Sequence, residues 1–129
     1  MKSLTPVLVV DKIEDCLPFW IEHFGFEQTM AVPDGEHLAF VGLRHGAVEV
    51  MLQTLEIVRK DTPAIADEPF RSALYIKVDD LDSIADAAVG LDQPIPRRQT
   101  FYGADEICVR DPAGNIITFA QFAADASAD

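Results

Sequence analysis

LVVDKIED at residues 8–15 and IKVDDLDS at residues 76–83 follow one pattern. In each, an apolar run ends in Val-Asp. A charged residue, then Ile or Leu, then an acid follow. A β-branched apolar run reads as a strand, and an acidic stretch behind it reads as a helix start. The two copies are offset by 68 residues, too far apart for a solenoid repeat. The offset predicts one module of about half the chain, present twice.

Working outward from the first copy, TPVLVV predicts a strand, and Asp15 an N-cap for a helix running to about Phe24. Pro18 then falls in the first turn, where its missing N–H costs little. Leu17, Trp20, Ile21 and Phe24 form one apolar stripe, and Gly25 ends the helix. Strands are expected near 26–32, 37–44 and 47–54, with turns at PDG and RHG. Residues 55–69 lack alternation and carry two prolines, which predicts a linker. From the second copy, SALYIKV predicts a strand and 80–89 a short helix. Strands follow near 95–101, 104–110 and 116–121. RDPAGN at 110–115 is a tight-turn signature: Asp111 caps the turn, Pro112 presets φ and Gly114 closes the bend. The expected fold is thus α+β, with βαβββ twice in one domain spanning 1–129. The modules cover 1–54 and 70–122, and the small acidic tail 123–129 is expected to be disordered.

Bulk properties narrow the function. The chain has 129 residues, of which 49% are hydrophobic and 25% charged, enough for an ordinary core. A net charge of −12 argues against nucleic acid and anionic membranes, whose phosphates would repel it. The apolar start PVLVV is too short for a signal core or a membrane span, so a cytoplasmic location is expected. Cys16 and Cys108 form no CxxC pair and read as reduced thiols. No nucleophile elbow, P-loop or GxGxxG is present.

The βαβββ order, the segment VDKIEDCLPFWIEHFGF and the segment YGADEICVRDPAGN together resemble the vicinal oxygen chelate superfamily. Its members include glyoxalase I, extradiol dioxygenases, fosfomycin-resistance proteins and bleomycin-resistance proteins. The combination of TPVLVV, FW, GF and RDPAGN looks most like the bleomycin-resistance branch. The resemblance implies mixed sheets curled into a U, in many members around a divalent metal. Carried over by position, the ligand places fall on Thr5, Met51, Ala73 and Thr118, with Glu49 one same-face step from Met51. None of the four offers imidazole or carboxylate, and hydroxyl and thioether are poor ligands for such a metal. No metal and no cofactor are therefore expected. His23 reads as a solvated helix residue, while His37 opens a strand and His45 lies in a turn.

Alternation then assigns the pocket wall. With Thr5, Met51, Ala73 and Thr118 facing inward, so do Val7, Val9, Glu49, Gln53, Tyr75, Lys77, Ile116 and Ala120. Cys108 faces inward if Ile107 and Val109 face the helices. The resemblance gives Tyr102 a ligand-lining role, with Phe101 as the alternative. The expected ligand-binding set is Thr5, Val7, Glu49, Met51, Gln53, Ala73, Tyr75, Tyr102, Cys108 and Thr118, with Lys77 as the one base. Such a wall suits a flat or cationic small molecule. The resemblance further implies a homodimer, with Pro6 where the branch exchanges N-terminal strands. The expected function is non-catalytic sequestration of a small molecule, an antibiotic among the candidates. The alternative is a metal-dependent lyase, isomerase or dioxygenase with displaced ligands.

Overall fold

The computed structural model describes residues 3–67, 69 and 71–123; of the tail expected at 123–129, residues 124–129 lie outside them. The chain divides into two compact units, Met1–Arg71 and Ser72–Asp129.

In the first unit, strands β1 (Val7–Val10), β2 (Glu27–Asp34), β3 (His37–His45) and β4 (Val48–Thr54) form one sheet in the order β1-β4-β3-β2. β1 runs parallel to β4 and the other pairings are antiparallel. Helix α1 (Ile13–Leu17) packs on β3 and β4. Leu8, Val10, Ala39, Val41, Leu43, Val50 and Leu52 are buried on that side of the sheet. They meet Ile13, Cys16, Phe19 and Trp20, which are buried as well. Trp20, Phe19, Phe24 and Phe26 form a chain of edge-to-face rings with centroids 5.0–5.1 Å apart, a geometry that suits aromatic quadrupoles.

The helix differs from the sequence expectation at both ends. It starts at Ile13 with Lys12 as N-cap, so Asp15 lies inside the first turn and caps nothing there. Fully burying Ile13 requires this earlier start, and Glu14 and Asp15 then sit favourably at the positive end of the helix. Pro18 consequently falls beyond the first turn, where its missing N–H breaks the i→i−4 ladder. The chain continues as a π-helical segment, Pro18–His23. The wider turn alters the stripe: Phe19 is buried, whereas Leu17 and Ile21 are only half-buried.

The expected linker also holds structure. Helix α2 (Leu55–Asp61) is capped by Thr54, whose Oγ1 accepts a hydrogen bond from Ile57 N–H at 3.1 Å. A single 3₁₀ turn, Pro63–Ile65, follows.

The second unit repeats the plan. β5 (Ala73–Lys77), α3 (Leu81–Ala87), β6 (Arg98–Gln99), β7 (Ala104–Arg110) and β8 (Ile116–Phe122) give the strand order β5-β8-β7-β6. β5 is parallel to β8. α3 packs on β7 and β8, where Ile107, Val109, Ile117 and Phe119 are buried. Asp80 caps α3 by accepting from Ser83 N–H. β6 is much shorter than the strand expected at 95–101, because Pro94 and Pro96 have no N–H for a ladder. The two sheets and their few helices make an α+β fold. Cys16 and Cys108 are both buried thiols.

The RDPAGN turn is a closed hydrogen-bond unit. Asp111 Oδ1 accepts from Ala113 N–H at 3.0 Å and Asn115 N–H at 2.7 Å, and Oδ2 accepts from Asn115 Nδ2. Gly114 takes φ +91°, a backbone state that a side chain would strain.

Candidate functional site

Each sheet has one face turned away from its helix, and strand register decides what that face carries. Directly paired residues share a face. In the first unit, one row joins Val7, Met51, Gly42 and Met30, and the next joins Val9, Gln53, Phe40 and Val32. Glu49 stands opposite Arg44, which pairs with Glu27. Val7 and Glu49 are exposed, while Thr5, Met51 and Gln53 are half-buried. Met51 N–H donates to Pro6 O at 3.0 Å, which brings Thr5 and its strand alongside β4.

In the second unit, the corresponding rows are Ala73, Ile116 and Arg110, then Tyr75, Thr118 and Cys108, then Lys77, Ala120, Glu106 and Arg98. Ala73 is exposed, Thr118 half-buried and Cys108 buried opposite the helix-facing Ile107 and Val109. Lys77 is thus not the one base of this parity: Arg44, Arg98 and Arg110 share it. Alternation applied to β3 and β6, and carried along β7 beyond Cys108, would have found them.

The centre of the second face is Glu106, which is 4% exposed. Both Tyr75 and Tyr102 donate their hydroxyl protons to its Oε2, at 2.5 and 2.6 Å. Arg98 reaches its Oε1 at 3.4 Å. Burial alone raises the carboxyl pKa. The hydrogen bonds from Tyr102 and Tyr75 and the Arg98 charge outweigh it and leave the group below the usual carboxylate range. Burial, then the hydrogen bond to Glu106, pushes Tyr75 well above the usual phenol range. The Tyr75 phenol therefore stays protonated at neutral pH.

The rings themselves remain accessible: Tyr75 is 48% and Tyr102 42% exposed. Phe122 neighbours both, its centroid 6.5 Å from that of Tyr75 and 6.4 Å from that of Tyr102. Lys77 Nζ stands 5.1 Å from the Phe122 centroid. Phe101, fully exposed, meets Tyr102 edge-on. The structure thus joins Tyr75 and Tyr102, named from sequence, through two residues the sequence reading left out of the site, Glu106 and Phe122. Glu106 lies two residues before Cys108 and was legible by parity alone.

Two cavities are found among the described residues. One of about 240 Å³ in the first unit is lined by Asp11, Lys12, Glu14, Asp34, His37, Leu38, Thr54 and Glu56. There Glu14 accepts from Leu38 N–H at 2.8 Å, which holds its carboxyl below the usual range. The other, about 490 Å³, is bordered by Gln99, Asp105 and Gln121 on the helix-side parity and also by Ala104 and Phe122, so it adjoins the aromatic face. Its Arg97 is clamped by Asp82 and Asp105.

The side chains at the four carried-over ligand places do not fit a divalent metal: two hydroxyls, a thioether and a methyl. Among the described residues, no three His, Cys, Asp or Glu side chains gather to hold one. His37 lies 3.8 Å from Glu14, and the His45 ring packs 5.6 Å from Phe26. Among the described residues no helix is long and apolar enough to cross a membrane.

Solved structures share this architecture. TioX from Micromonospora sp. ML1 superposes with a TM-score of 0.75 at 19% identity, covering 95% of this chain and all 100% of that one. The bleomycin-binding protein of Streptomyces verticillus, solved with copper(II)-bleomycin, gives a TM-score of 0.63 at 24% identity over 92% of this chain and 94% of its own. Lactoylglutathione lyase from Agrobacterium tumefaciens gives 0.71 at 16% identity over 94% of each. At these identities the likeness is one of fold. No curated protein matches the chain. A family model matches residues 3–119, and with it the chain belongs to the glyoxalase/bleomycin resistance protein/dioxygenase superfamily.

Proposed function

We propose that this chain binds and sequesters a flat small molecule without a metal and without chemistry on it. One observation carries this reading: Thr5, Met51, Ala73 and Thr118 stand where a metal-using relative would need imidazole or carboxylate. What replaces those groups is a recognition surface. Tyr75, Phe122 and Tyr102 offer ring faces, and Glu106 fixes two of them from below. Stacking on such faces favours planar ligands. The net charge of −12 draws cationic ones from a distance. Near the rings, Lys77 is engaged with Phe122 and Arg98 with Glu106. Antibiotics of the bleomycin type carry a planar heteroaromatic part and a cationic tail, and the fold likeness to a bleomycin-binding protein supports that class. The reading includes a cytoplasmic location and a homodimer.

The test is a thermal-shift screen of the purified protein. Planar cations should raise the melting temperature, since a ligand at 100 times its Kd adds about 2.7 kcal/mol of stability. Ni, Zn, Mn and Fe salts should leave it unchanged. Stabilisation by a stoichiometric dication, with no response to planar ligands, would replace this reading with the metal-dependent one.

A further inference from the structure

We propose that Glu106 fixes the hydrogen-bond polarity of the second face, so that it selects planar molecules carrying N–H donors along their edge. This rests on the binding function above and names the ligand chemistry of that site. A phenol has one proton. The protons of Tyr75 and Tyr102 are both directed at Glu106 Oε2, at 2.5 and 2.6 Å. Neither hydroxyl can donate to an incoming molecule without abandoning a buried carboxylate. Glu106 is only 4% exposed, and that loss would leave its charge poorly compensated. What the phenols have left to offer are oxygen lone pairs. Donation to an anion polarises the O–H bond and makes each oxygen a stronger acceptor.

The surroundings agree. Tyr75 and Tyr102 are 48% and 42% exposed, so a planar molecule can lie against them; in the proposed pose its N–H edge meets the phenol oxygens. Phe122 continues the aromatic surface. A ligand edge that brings only acceptors faces two acceptors, and the mismatch costs it the hydrogen bonds it made with water. Primary aromatic amines and amidines satisfy the site, whereas the same ring systems with fully alkylated nitrogens do not.

Two dyes isolate this term. Proflavine and acridine orange share one planar cationic ring system; in acridine orange the exocyclic N–H groups are replaced by N-methyls. Alkylation adds apolar area, so a site selecting by hydrophobicity alone prefers acridine orange. Fluorescence titration of the intact protein is expected to show the reverse, with proflavine favoured by about fivefold or more, the worth of one hydrogen bond. Glu106→Leu frees both phenol protons and should reduce that ratio to one or invert it. Tyr75→Phe, which removes one acceptor and keeps the ring, should lower the ratio by weakening proflavine more than acridine orange. That second variant serves if the first does not fold. Equal affinity of the wild type for both dyes, or preference for acridine orange, overturns the polarity assignment and leaves the binding function standing. Failure of both dyes to bind overturns the binding function itself.

Discussion

Asn115, 1% exposed, ties the start of β8 to the start of β5. Its side-chain oxygen accepts from Ser72 N–H at 2.8 Å while its amide nitrogen donates to Asp111. Truncating it strands a backbone donor and a carboxylate oxygen. Asn115→Ala should therefore cost roughly 2–3 kcal/mol in urea denaturation, more than a surface change. Glu106 makes a pH prediction of known sign. Its folded pKa lies below the unfolded value because phenol hydrogen bonds and Arg98 outweigh burial. Its contribution is thus present in full above the ordinary carboxylate range and is lost as pH falls through the folded pKa. Glu106→Gln should flatten this acid limb, and stability curves at pH 7 and pH 3 for both proteins would show it. The role of Asp111 was legible at this scale because an Asp-Pro-x-Gly turn makes its hydrogen bonds locally. The role of Glu106 was not. Its partners Tyr75 and Arg98 lie on other strands, and only register brings them to it.

Most strands were readable from their turns, since alternation and turn residues act over a few positions. The start of helix α1 was misplaced by three residues because a tertiary demand, the burial of Ile13, outweighed the local capping preference of Asp15. The connection after β4 hid a helix for a similar reason: Thr54 caps it from inside the strand, ahead of the segment that reads as irregular. Within the first sheet, Gly42 is set by its neighbour. A Cβ there would stand 2.7 Å from Thr29 Oγ1 and 2.9 Å from Met30 Cγ, beside the register shift between Gln28 and Met30. Gly42→Ala should cost about 1–3 kcal/mol through this overpacking. Fraying of β2 should accompany the loss, read as faster amide exchange at Met30 and Val32 than in the wild type.

At the scale of the molecule, the duplication in the sequence was enough to give two like units, because each copy carries its own strand, helix and hairpin signals. The homodimer belongs to the proposed reading, and light scattering at micromolar concentration should return twice the 14.2 kDa chain mass. Each unit pairs its first strand in parallel with its last, β1 with β4 and β5 with β8. That arrangement has a consequence for the order of events in folding. The antiparallel neighbours β2, β3 and β4 are joined by short turns and can form early, whereas β1 must wait for the far end of its module. Closing that long loop costs entropy before any contact compensates it. On a ribosome, β1 leaves the tunnel first and is the last strand of its sheet to find a partner. Val9→Ala should then accelerate unfolding with little change in the folding rate, while Val41→Ala in the central hairpin should slow folding. A stopped-flow chevron in which Val9→Ala mainly slows folding would place β1 in the nucleus instead.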